Sequence, residues 1–203
     1  MRCGPVMKVA SSCARLALAA VLVAAIALPA LQAEERLVDT GRSLVTIRIG
    51  HDGFLGRFFS DIVVRAPLME GAVEEAIPHM QVVFEARQVR TIDGGWSARD
   101  REAVQAQLIG PNVLDIERFP FITYHSITIE RRSADEWLIH GELELHGRIL
   151  PVLATARRHG DRFHGSATVH PSAFGIAPIS RWGGWVRVKD DVAVEFDVVL
   201  DGL

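Results

Sequence analysis

Three side chains in the stretch Val113-Leu-Asp-Ile-Glu-Arg-Phe-Pro-Phe-Ile-Thr-Tyr-His-Ser126 are of the types that proton transfer needs: Asp115, Glu117 and His125. A carboxylate and an imidazole within hydrogen-bond reach can work as a general base and its orienting partner. Tyr124, next to His125, adds a phenol. A second set, His140, Glu142, Glu144 and His146, repeats every two residues, so all four share one face if the segment is a strand. Imidazole and carboxylate are ordinary metal ligands. No GxSxG nucleophile signature, HExxH zinc motif or CxxCH haem attachment occurs.

Each set also has a plainer reading. Asp115 follows a helix stop, where aspartate commonly bonds backbone amides to fix a turn. Pro120 suits the first residue of a following strand, where its missing N–H is tolerated. Opposite the polar row stand Trp137, Ile139, Leu143 and Leu145, so the polar side chains most simply face water. Ligands two apart on one strand also point in parallel and do not converge on an ion unaided. The reading therefore assigns no metal, no cofactor and no catalytic residue. A lipid-acting enzyme using Tyr124 and His125 stands as the alternative. The remaining histidines, at 51, 79, 159, 164 and 170, are scattered and read as solvated.

The elements that must position these residues alternate with period two. Ser43, Val45, Ile47 and Ile49 form one apolar-facing run, and Val192, Val194, Phe196, Val198 and Leu200 form the clearest. Further strands are expected over 57–66, 80–90, 121–131, 136–146, 149–158 and 162–170. His51-Asp-Gly53, Ser133-Ala-Asp135, Gly147 and His159-Gly-Asp161 supply the breaks. One helix is expected, with Ser97 as N-cap, Asp100 three residues on, and Gly110-Pro111 as its stop. The fold class is all-β with one short helix. A barrel of about eight strands removes exposed sheet edges, and a sandwich shares the same pattern.

The first 33 residues have a different character. Arg2, Lys8 and Arg15 precede an apolar run from Leu16 to Leu28 and then small residues, the pattern of a secretory signal peptide cleaved after Ala33. A single membrane anchor is the other reading, but Pro29 interrupts the run and its length is borderline for spanning. Cys3 and Cys13 both lie in this segment, so the mature domain, 34–203, has no thiol to use. Of the 22 Lys and Arg, 19 remain against 25 acidic residues. That acidity excludes a nucleic-acid partner, which requires a basic face.

Short matches in a fixed order resemble the YceI-like family. Asp39 with Ser43 and the alternating Val45, Ile47, Ile49 is similar to its opening strand, and Gly56-Arg-Phe58 to its glycine-phenylalanine turn. Val89-Arg-Thr91 precedes the helix, and Leu108 with Asp115-Ile-Glu-Arg-Phe-Pro120 follows it. Then come Ile122-Thr-Tyr-His-Ser126, Gly141-Glu-Leu-Glu-Leu-His-Gly147 with Pro151-Val152, Ser172-Ala-Phe-Gly-Ile176, and Asp191-Val192. Two positions depart from the pattern. Val113-Leu114 replaces an aromatic pair, and Pro171-Ser-Ala-Phe-Gly175 lacks the arginine and aspartate of the family's R-S-D-F-G.

The resemblance implies an elongated, lipocalin-like antiparallel barrel, exported to the periplasm. It also implies non-covalent binding of a polyisoprenoid, an isoprenoid quinone or another fatty-chain lipid. Burial of about 0.8 kcal/mol per methylene makes a dry tunnel sufficient for such a ligand. The tunnel candidates are Phe54, Phe58, Phe84, Phe119, Phe121, Tyr124, Leu143, Leu145, Phe174, Ile176, Trp182, Trp185, Val194 and Phe196. Trp182-Gly-Gly-Trp185, in a glycine-rich connection, suits a tunnel mouth or transient membrane contact. A monomer or homodimer fits, as does a ligand-free barrel serving as an interaction module.

Overall fold

Alternating segments pair in nearly the order in which they occur. The computed structural model describes residues 35–52, 61–74, 79–93, 97–177, 180–181 and 186–201. The signal segment, Phe54, Phe58, Trp182 and Trp185 lie outside them. Fourteen strand segments are present: β1 (Glu35–Leu37), β2 (Leu44–Ile49), β3 (His51–Asp52), β4 (Ile62–Ala66), β5 (Leu68–Glu74), β6 (His79–Glu85), β7 (Arg90–Asp93), β8 (Phe121–Arg131), β9 (Glu136–Leu145), β10 (Arg148–His159), β11 (Arg162–Val169), β12 (Ser180–Arg181), β13 (Val186–Val188) and β14 (Val192–Val199). One helix, α1 (Ala98–Ile109), lies between β7 and β8.

Eleven segments form one antiparallel sheet in the order β1-β5-β6-β8-β9-β10-β11-β14-β2-β4-β7. The two ends of that order meet, because β1 and β2 are successive parts of one strand. β1 pairs with β5, and β2 pairs with both β4 and β14. Val38 bridges Leu200, and Asp39 N–H donates to the Val199 carbonyl at 2.9 Å. The sheet thus closes into an elongated antiparallel barrel. Its longest strand, β10, has 12 residues, about 40 Å at 3.3 Å per residue.

The expected count of about eight becomes eleven segments in the main sheet because three long strands are interrupted, and a second sheet of three brings the described segments to fourteen. The first is broken at Asp39–Ser43, the second at Pro67, and the third by a 3-10 turn at Ala86–Gln88. β5 was not foreseen by periodicity. A register shift between Leu68 and Glu70 places an extra residue in the strand, which destroys the alternation a sequence pattern relies on. β12, β13 and β3 form a separate three-stranded sheet, in which Val188 pairs with His51.

The helix forms where its signals stand. Ser97 Oγ accepts from Asp100 N–H at 3.2 Å and donates to the Asp100 carboxylate at 2.6 Å. Gly110 ends it in extended backbone, φ −75° and ψ 174°, the conformation favoured before Pro111. Gln105 fastens α1 to β7. Its Oε1 accepts from Thr91 N–H at 2.8 Å and its Nε2 donates to the Val89 carbonyl at 2.9 Å. A side-chain amide thereby serves backbone groups that the edge of β7 leaves unpaired.

Candidate ligand-binding site

Alternate residues of every long strand point into the lumen and enclose a cavity of about 730 Å³. Val45, Ile47 and Ile49 of β2 and Met80, Val82 and Phe84 of β6 line it. Leu143 and Leu145 of β9 and Val194 and Phe196 of β14 complete its sides. This lining is apolar because period two sends the intervening Glu142, Glu144, Glu195 and Asp197 outward.

The two ends of the lumen differ. At one, Trp137 and Phe163 pack with ring centroids 5.6 Å apart, and Arg131 and Arg158 lie over those rings at 6.0 and 5.9 Å. Neither aromatic belongs to the cavity lining, although Val198, in register with Phe163, does. At the other end, His51, Thr91, Lys189 and Asp190 meet Ser97, Asp100, Val104, Gln107 and Leu108 from the cap and first turns of α1 onward. The polar residues of the cavity wall concentrate here. Burial pushes the His51 imidazole below its ordinary value, while the nearby Asp61 charge pulls it the other way.

Inside the lumen, Tyr124 lies over Gly141. Its hydroxyl stands 3.3 Å from the Ile139 and the Val152 carbonyl oxygens. A Cβ at Gly141 would sit 2.5 Å from the Tyr124 hydroxyl oxygen, so only glycine leaves room for the ring. Burial raises the phenol to about 12, which keeps it protonated and donating at neutral pH.

The sequence candidates separate into groups. Phe84, Tyr124, Leu143, Leu145, Ile176, Val194 and Phe196 line the cavity. Phe121 does not. It is 51% exposed on the outer face, because Ile122 and Tyr124 take the inward positions of β8. Phe119 packs outside the barrel against the β9–β10 turn, its ring 5.0 Å from that of His146 and pressed on Gly147. Phe174 is 2% exposed in the core but is not part of the cavity wall. The 3-10 turn Pro171–Phe174 holds it there, through Ser172 bonded to Asp190 and Arg148 bonded to the Ala173 carbonyl.

The residues that suggested acid–base chemistry are dispersed. Asp115 is a turn residue with φ 46°, and its carbonyl accepts from the N–H groups of Arg118 and Phe119. Glu117 pairs with Arg87 at 2.9 Å on the surface. His125 pairs with Glu142 at 3.3 Å on the outer face of the sheet, turned away from the Tyr124 ring. His140 meets Glu130 at 3.2 Å, also outside. Among the described residues no group of three or more His, Cys, Asp or Glu is placed to hold a metal ion.

Sequence reasoning favoured aromatics and so passed over the aliphatic lining, such as Ile47, Val64, Met80 and Val82. It also missed α1 as part of the mouth and the Trp137–Phe163 pair as the closed end. The alternation of β2 carried the first signal. Nothing in local sequence carried the other two, since both depend on which elements meet.

Comparison with known proteins agrees with this architecture. Among solved structures, Burkholderia cenocepacia BcnA aligns with a TM-score of 0.57 at 18% identity, covering 80% of this chain and 98% of that one. The Campylobacter jejuni YCEI protein aligns with a TM-score of 0.43 at 12% identity, covering 69% and 82%. No match to a curated protein sequence was found. The YceI-like domain matches residues 37–200, the same span over which the strands close around the cavity. The chain therefore belongs to the YceI-like domain family.

Proposed function

We propose that this protein is exported and holds one long-chain amphiphilic lipid, a polyisoprenoid, an isoprenoid quinone or a fatty chain, non-covalently in the barrel lumen. The observation that carries the reading is the apolar cavity of about 730 Å³, blind at one end and polar at the other. Pockets of 300–1,000 Å³ with apolar walls and few polar groups are the usual form of small-molecule sites. The tail would lie along the strands and the head at the mouth, among Thr91, Ser97, Gln107 and Lys189. The signal-peptide pattern of residues 1–33 supports delivery to the periplasm of the domain 34–203, where such a lipid needs shelter from water.

Binding rather than turnover is the better reading of the site. Tyr124 is a neutral hydroxyl engaged with backbone, and His125 stands on the far side of the sheet, so the pair cannot act on one substrate. Phe54, Phe58, Trp182 and Trp185 keep their proposed place near the ligand from sequence alone.

Native mass spectrometry of the purified mature protein, followed by organic extraction, tests the reading. About one lipid per chain is expected, retained in His125→Ala. A clean apo mass, with no uptake from a panel of isoprenoids, quinones and fatty alcohols, overturns it.

A further inference from the structure

Two aromatic rings of the cavity wall are laid over glycines of neighbouring strands. We propose that these pairs, Tyr124 on Gly141 and Phe196 on Gly165, limit the length of the hydrocarbon chain that the protein accepts. The inference rests on the lipid-binding reading above and adds a size limit to it.

Three observations place the limit there. First, the lining ends along one register row on β9, β10 and β11, while on β14 it runs past Phe196 to Val198. Ile139, Ala154 and Ala167 are mutual neighbours in register and belong to the cavity wall. The next inward residues, Trp137, Ala156 and Gly165, do not. Second, Tyr124 and Phe196 pack against both sides of this boundary, touching the larger core cluster and the smaller one around Ile139, Ala154 and Ala156. Third, each ring is fitted to its glycine. Rotating Tyr124 would strip its hydroxyl of the Ile139 and Val152 carbonyls in an apolar lumen. A Cβ at Gly165 would overlap the Phe196 ring, so that ring occupies the only space a side chain there could have. Below them the Trp137–Phe163 pair fills the bore.

The volume gives the scale. An apolar cavity of about 150 Å³ accepts benzene, with six carbons. At that density, 730 Å³ holds about 30 carbons at most. The class of ligand is therefore a single-tailed amphiphile whose tail ends at the two rings. A longer chain leaves its excess outside, past α1, where further methylenes gain nothing.

Displacement of a fluorescent fatty-acid probe by n-alkanols and all-trans prenyl alcohols of graded length tests this on the delipidated protein. Affinity of the wild type is expected to rise about fourfold per methylene, the equivalent of 0.8 kcal/mol, and then to level off at a break. Phe196→Ala moves that break to longer chains by up to about six carbons, one ring's worth of space. Phe196→Leu moves it less, and Gly165→Ala moves it to shorter chains. The two Phe196 variants leave the backbone unstressed and carry the test if Gly165→Ala does not fold. A break that stays in place in Phe196→Ala while chains still bind overturns the length limit and leaves lipid binding standing. Failure of the wild type to take up any chain overturns both.

Discussion

The closed end of the barrel and its mouth are built by different means. At the closed end, the β8–β9 and β10–β11 hairpins carry their registers to the last residues, Arg131 opposite Trp137 and His159 opposite Arg162. Arg131 also donates to the carbonyls of Ser133 and Ala134 at 3.0 and 2.7 Å, fastening the turn it leads into. Many backbone bonds and two packed aromatics hold this end together. At the mouth, α1 has no fully buried residue and is fixed to the strands by Gln105. The 3-10 turn Pro171–Phe174 hangs on Asp190 and Arg148. Depth is thus set by a cooperative sheet, while access depends on a few side chains that single substitutions can remove.

The largest expected effect is at the closed end. Trp137→Ala removes the partner of Phe163 and leaves a void where the lumen is filled, so a loss of about 2–4 kcal/mol is expected. Chemical denaturation followed by circular dichroism measures it. The amide exchange of α1 should be unchanged, because the helix shares no contact with Trp137. A loss below about 1 kcal/mol would mean that the aromatic pair only decorates an end held by its hairpins.

The contrast between the ends also marks how much was legible in the sequence. Strands β2, β8, β9, β10, β11 and β14 were readable because each buries one face, and the pleat turns that into period two. The caps of α1 were readable because a hydroxyl, an acid and Gly110-Pro111 act within one turn of chain. β5 was not, since its register shift at Met69 breaks the period. For the site, the aliphatic walls were implicit in the alternation of β2, but candidates were chosen as aromatics, and Phe121 was included although it has the opposite parity to Tyr124 on the same strand. The alternative that joined Tyr124 and His125 overlooked that neighbours on a strand face opposite ways. The departure at Pro171–Gly175 was visible as an absent arginine and aspartate. That Arg148 and Asp190 serve the turn from other elements was not, because it is a property of the assembled mouth.

An intermediate effect is expected at the mouth. Gln105→Ala deprives Thr91 N–H and the Val89 carbonyl of their partner, which costs about 1–2 kcal/mol if water does not replace it. The loss should fall on α1 rather than on the barrel. Hydrogen exchange of the helix amides would quicken by roughly five- to thirtyfold, the ratio that such an energy corresponds to. Release of a bound fatty alcohol would quicken as well, while the midpoint of global unfolding moves little. Unchanged helix exchange would show that Val104 and Leu108, packed at the cavity, suffice to hold α1.

The smallest effect concerns the turn across the mouth from α1, and it depends on pH. The Ser172 hydroxyl donates to Asp190 at 2.6 Å and holds its carboxyl below the ordinary range. Burial opposes this, and the Ser172 N–H and the nearby His170 add lesser effects in the lowering direction. A carboxyl whose folded value is depressed contributes stability that is fully present above its unfolded value, near 4, and is lost as pH falls through the folded value. The group is partly exposed at the mouth, so the contribution should remain within the 1 kcal/mol or less of surface interactions. Asp190→Asn removes it at every pH. The wild type should therefore melt slightly above the variant at pH 7, with the gap closing below pH 4. A gap that persists at pH 3 would place the effect in the shape of the side chain rather than in its charge, and the mouth would then resemble the closed end more than the present comparison holds.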